Sequence, residues 1–100
     1  MKYNYLVFDT ETTGVHSEQD HIVQLGAILT DNKGNTMEEF DMIIRPDGYV
    51  IPQRATDIHG ISTQKAMQDG ASKARVLELF YLLMQQADCL VAHNLSLIHI

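Results

Sequence analysis

One hundred residues, 45% of them hydrophobic and 20% charged, make the composition of one soluble globular domain and leave no room for a second core. The formal net charge of −6 excludes a broad lysine- and arginine-lined clamp on nucleic acid, but not an acidic site that meets phosphate through bound cations. A lone cysteine, Cys89, excludes an internal disulfide, and neither a secretory signal nor a membrane-length apolar run is present, so the cytoplasm is the expected location.

Taken in chain order, Tyr5-Leu6-Val7-Phe8 reads as a buried strand ended by the polar cluster Asp9-Thr10-Glu11-Thr12-Thr13-Gly14. Residues 21–30 and 37–44 are two more strands, and Asp31-Asn32-Lys33-Gly34-Asn35 between them is turn chemistry, which predicts an antiparallel hairpin. Arg45-Pro46-Asp47-Gly48 closes the third strand. Helical patterning begins after Pro52, with a short piece over Arg54 to Ile58, a second after an N-cap at Ser62, and a longer helix after Ser72. Val76, Leu79, Phe80, Leu83 and Ala87 form one stripe of that helix and read as core. Asp88 to His93 predicts a last strand buried on both faces, with Cys89 as a small buried hydrophobe. The order fits a mixed α/β sheet, an antiparallel hairpin plus parallel strands with flanking helices.

Asp9 and Glu11 carry the first chemical signal. Carboxylates at i and i+2 past a hydrophobic strand project to one side while the backbone stays extended, and such a pair can hold a cation; the bland alternative is a pair of solvated turn residues. The surrounding run Phe8-Asp9-Thr10-Glu11-Thr12-Thr13-Gly14 closely resembles the first motif of the DEDD superfamily of 3′-to-5′ exonucleases, which includes the proofreading epsilon subunit of bacterial replicative polymerase and ribonuclease T. Gln24-Leu25-Gly26-Ala27 looks like the second strand of that family, Ile58-His59-Gly60-Ile61 like its substrate-side loop, and Val91-Ala92-His93-Asn94 like the opening of its second motif.

The resemblance implies a ribonuclease H-like fold and two divalent ions, Mg²⁺ or Mn²⁺, that hydrolyse a phosphodiester at a 3′ end and release nucleoside 5′-monophosphates. Asp9 and Glu11 would be the catalytic metal ligands, and Thr10, Thr12, His59 and Asn94 would contact substrate. The implied partners are a DNA or RNA 3′ end and a DNA polymerase or replication complex. For His59, a histidine that ends its helix and meets the helix dipole is a rival explanation. His16, Asp20 and His21 read as solvated loop, and Tyr3 and Tyr5 as sheet-edge packing.

The chain departs from the family at its end. Ile98 stands where the second motif has a metal-binding aspartate, and no third motif follows, so half of the four-carboxylate site is absent and the C-terminal part of the fold is expected to be missing. Leu95-Ser96-Leu97-Ile98-His99-Ile100 is what CTGTCTCTTATACACATC encodes, a string that resembles a transposase mosaic-end sequencing adapter. The expectation is therefore an exonuclease-domain portion over residues 1–94 and adapter read-through over 95–100, inactive by itself. Two other functions fit less of the chain: a catalytically dead nucleic-acid-binding module of the same fold, and an aspartyl-phosphate phosphatase, for which Glu11 is the wrong second residue.

Overall fold

The computed structural model describes residues 3–14 and 20–93; His16, Asn94 and the tail 95–100 lie outside the described residues. Strands β1 (Tyr5–Thr12), β2 (Ile22–Thr30) and β3 (Thr36–Ile43) precede helices α1 (Gln53–His59), α2 (Thr63–Asp69) and α3 (Lys73–Met84), and strand β4 (Cys89–Ala92) follows. They form one sheet in the order β3-β2-β1-β4. β1 runs antiparallel to β2, β2 antiparallel to β3, and β1 parallel to β4, which is the mixed topology read from the sequence. None of the helices among the described residues is long and apolar enough to cross a membrane.

β1 is longer than its composition suggests. Asp9, Thr10, Glu11 and Thr12 have turn-like chemistry, yet the ladder continues through Asp9↔Gly26 and Glu11↔Gln24 to Thr12↔Ile22, with a bulge after Glu11. Pairing on one side overrides local preference, as it does for most strands. The β2–β3 hairpin closes through the Asp31 side chain, which accepts from the main-chain N–H groups of Lys33 and Asn35. Both serine caps form: Ser62 accepts from Lys65 N–H and Ser72 from Arg75 N–H, each satisfying a first-turn donor.

Alternation divides the sheet into two faces. Leu6 and Phe8 of β1 lie opposite Leu29 and Ala27 of β2 and meet α3, whose Val76 and Leu83 are buried and whose Phe80 sets its ring edge-to-face on Phe8 at 5.4 Å. The predicted helical stripe is therefore core at Val76 and Leu83, and partly buried at Leu79, Phe80 and Ala87. A second apolar cluster, Val23, Ile51, Ala55, Ile61 and Ala66, seats α1 and α2 at the start of β2.

β4 departs from expectation. Leu90 is 50% and Val91 39% exposed, and Cys89 is only partly buried, because β4 is the sheet edge among the described residues and has a neighbour on one side only. Its apolar run signals sheet membership, and burial on both faces would need a covering layer that the described residues do not provide.

Candidate metal and substrate site

On the face turned away from α3, the last turns of β1 present Asp9 and Glu11 side by side. Across the ladder from Glu11 stands Gln24, whose Nε2 donates to Asp41 Oδ1 on β3 at 2.8 Å. Across from Asp9 stands Gly26, and a Cβ there would lie 3.7 Å from the same Asp41 oxygen. Asp9, Glu11 and Asp41 thus share one face of the sheet with Gly26, which has no side chain.

The two Asp9 oxygens differ. Oδ1 is buried and has no hydrogen-bond partner, while Oδ2 lies 3.6 Å from His93 Nδ1. His93 is brought there by the parallel register Phe8↔Ala92 and by its own N–H donating to Phe8 O at 2.8 Å. An acceptor withdrawn from water without a donor costs about 1–3 kcal/mol, a cost that a bound cation would relieve. Hard carboxylate oxygens suit Mg²⁺ or Mn²⁺. Among the described residues no three His, Cys, Asp or Glu side chains converge as a metal-binding group, so Asp9 and Glu11 fit as part of a ligand set. His93 was not singled out as a site residue from the sequence; the signal available for it was its place in the Val91-Ala92-His93-Asn94 run.

Past Glu11 the chain is fixed by hydroxyls. The Thr13 and His21 main chains pair, His21 N–H also donates to Thr13 Oγ1, and Thr13 Oγ1 donates to Asp20 Oδ1 at 2.8 Å. Thr12 Oγ1 donates to Gly14 O, so that hydroxyl shapes the turn. Gly14 leaves room for the Asp20 carboxylate, since a Cβ would sit 2.6 Å from Asp20 Oδ2 and displace it. Asp20 is thus part of the turn and not merely solvated, and His21 is stacked on Tyr49 with ring centroids 3.8 Å apart and planes 7° from parallel. His21 is exposed in a loop as expected, and its stack on Tyr49 was not legible because two residues 28 positions apart leave no local pattern. Burial pushes the Tyr49 phenol above its usual range, so its hydroxyl remains a donor.

The remaining candidates fall apart spatially. Thr10 alternates to the face of Phe8 and Leu25, away from Asp9 and Glu11. His59 is the last residue of α1, before Gly60 in the left-handed region at φ 78°. Its Nδ1 accepts the Ile61 N–H at 3.1 Å, which leaves the proton of the neutral ring on Nε2, and Nε2 is buried without a partner. The ring therefore sits in the last turn of its own helix and closes that end through a hydrogen bond it accepts. His59 makes no hydrogen bond or ion pair with Asp9 or Glu11. Tyr3 and Tyr5 pack edge-to-face at 5.2 Å.

A family model described as exonuclease matches residues 6–99. The chain is 38% identical over 92 residues to PolC-type DNA polymerase III of Streptococcus pyogenes serotype M2, and 38% identical over 90 residues to that of Streptococcus mutans. These matches take in 92% and 90% of the chain but only 6% of either relative, so the chain spans a small part of the curated relatives' length. Among solved structures, E. coli exonuclease I in complex with a dT13 oligonucleotide superposes with a TM-score of 0.80 at 28% identity, covering 92% of this chain and 20% of that one. A zinc-bound form of the E. coli exonuclease I complex with single-stranded DNA gives a TM-score of 0.81 at 28% identity, again over 92% of this chain and 20% of that one. The ribonuclease H-like architecture expected from the sequence is the one these structures share.

Proposed function

Because this chain belongs to the exonuclease family, we propose that it is part of a metal-dependent 3′-to-5′ exonuclease domain acting on single-stranded DNA. The observation that carries the proposal is the placement of Asp9 and Glu11 together at the end of a central strand, on the face α3 leaves uncovered, with one Asp9 oxygen buried and unpartnered. The single-stranded substrate is supported by the neighbours described as complexes with such DNA, and a polymerase setting by the PolC-type relatives.

Asp9 and Glu11 would hold divalent ions, whose chemistry is to activate the attacking water and stabilise the leaving oxygen. Asp41 and Gln24 add negative potential and a hydrogen-bonded wall beside that pair. His93 flanks Asp9, and the Thr12–Gly14 turn fixes where β1 ends. Two carboxylates are too few to fix two ions, so the 100-residue chain should bind metal and a 3′ end without turnover. In fluorescence anisotropy with a labelled single-stranded oligonucleotide, we expect Mn²⁺ to strengthen binding, blocking the 3′ terminus to weaken it, and Asp9→Ala to abolish the metal effect. Binding indifferent to Mn²⁺, to the 3′ end and to Asp9 would instead identify a nucleic-acid-binding module that keeps the fold alone.

A further inference from the structure

Away from the carboxylate face, a cavity of about 690 Å³ opens between the start of β2 and the start of α3, within the ~300–1,000 Å³ typical of small-ligand sites. Its floor is apolar, made by Ile22, Ile44 and Met67. The parallel rings of His21 and Tyr49 line it as an aromatic wall. Arg45 and Lys73 supply two permanent cations against one carboxylate, Asp47. That balance is the reverse of the whole chain, where 13 acidic residues outnumber 7 basic ones.

Both cations are available. Arg45 is anchored at its base, since its main-chain N–H donates to Ala71 O and its Nε and Nη2 reach Gly70 O at 3.4 and 3.3 Å, which leaves Nη1 uncommitted. Lys73 forms no ion pair or hydrogen bond with the described residues. A wholly apolar occupant would leave these charges without use, whereas a phosphate answers Arg and Lys and a base answers an aromatic wall.

We propose that this cavity binds a nucleoside monophosphate unit, with its phosphate at Arg45 and Lys73 and its base against His21 and Tyr49. The inference rests on the exonuclease reading for its source of nucleotides. The cavity wall is tied to the catalytic strand, because Thr13 N–H donates to His21 O at 2.9 Å, and Thr13 lies two residues past Glu11, about 7 Å of extended chain. Two sources offer the same chemistry: an upstream nucleotide of the strand whose 3′ end meets Asp9, and the free nucleoside 5′-monophosphate.

The test uses the whole 100-residue chain in EDTA, which silences the metal site. Binding of 2′-deoxyadenosine 5′-monophosphate is followed by calorimetry, and binding of a short 5′-fluorescein oligothymidylate by anisotropy. Combining Arg45→Gln with Lys73→Gln should weaken binding about tenfold and flatten its salt dependence. Tyr49→Leu should weaken it about fivefold, Arg45→Lys should restore part of the loss, and Lys33→Gln, a cation removed from the β2–β3 turn, should change nothing. An effect on both probes or on either one supports the site and names its source. No binding of either probe, or a double variant that binds like Lys33→Gln while its thermal transition is unchanged, overturns the proposal. The exonuclease reading would survive that result, since it is judged by Mn²⁺-dependent binding lost in Asp9→Ala.

Discussion

The two faces of β1 and β2 come from the same residues taken alternately, and they are built for opposite ends. Toward α3, Leu6 and Leu29 are wholly excluded from water; on the other side Asp9 keeps a side chain 43% exposed, beside Glu11, Gln24 and Gly26. Packing fixes the strands from one face, and that fixed backbone sets Asp9 and Glu11 at alternate positions on the other. A rigid covered face is what permits an unsatisfied open one.

The largest effect separating the faces should come from truncating chain neighbours. Leu29→Ala, at a fully buried position, should cost about 2–5 kcal/mol, against a typical whole-domain stability of about 5–15 kcal/mol. Ile28→Ala, one residue away and 38% exposed, should cost less than about 1 kcal/mol. Urea denaturation of both variants measures the difference, and equal costs would mean that the faces are not distinct in packing.

Glycines give a second, smaller contrast. A Cβ at Gly70 would collide with Ala66 O and lie 2.6 Å from Arg45 N, both main-chain atoms that cannot swing aside. Gly70→Ala should therefore destabilise by about 1–3 kcal/mol. At Gly26 the nearest atom is Asp41 Oδ1 at 3.7 Å, an ordinary van der Waals contact, and Gly26→Ala should leave the urea midpoint nearly unchanged. A costly Gly26→Ala would show that the carboxylate face is packed after all.

Legibility followed the same division. The hairpin turn, the Ser62 and Ser72 caps and the α3 stripe were readable because each is written in adjacent or helically spaced residues. The carboxylate pair was readable because strand alternation is local. What escaped needed partners far along the chain: the extension of β1 through Thr12 depends on β2, the exposure of β4 depends on what flanks it, and the His21–Tyr49 stack depends on the loop after β3. The face that Thr10 takes, with Leu25 and away from Asp9, was not legible either, because a motif match carries residue types without saying which side of the sheet each one faces.

The Asp31 carboxylate ties the stability of the β2–β3 turn to acid. Asp31 accepts from Asn35 N–H, Asn35 Nδ2 and Lys33 N–H, and these hydrogen bonds, led by that from the Asn35 main chain, hold its carboxyl below the usual range. A depressed folded pKa means that its stabilisation is present above the ordinary carboxylate pKa and is lost as pH falls below about 4 and through the lower folded value. Asp31→Asn should remove that part of the acid sensitivity. If the stability difference between parent and variant stays constant from neutral pH into that range, Asp31 is not acting through its charge.

The smallest effect on stability should come from the two carboxylates proposed to hold metal. Asp9 Oδ1 has no donor where Asp31 has three, and Asp9 Oδ2 only lies 3.6 Å from the exposed His93, so replacing the Asp9 carboxylate removes no hydrogen bond. Asp9→Asn and Glu11→Gln should therefore shift unfolding free energy by no more than about 0.5 kcal/mol in EDTA, in either direction. Metal should reverse the ranking. A ligand at a hundred times its Kd adds about 2.7 kcal/mol to the folded state, so Mn²⁺ should raise the parent's transition temperature and leave both variants where they were. Thermal unfolding with and without Mn²⁺ reads both halves of this at once. Variants that unfold in EDTA would make these carboxylates structural, and variants that keep the full Mn²⁺ shift would move the ion to some other part of the molecule.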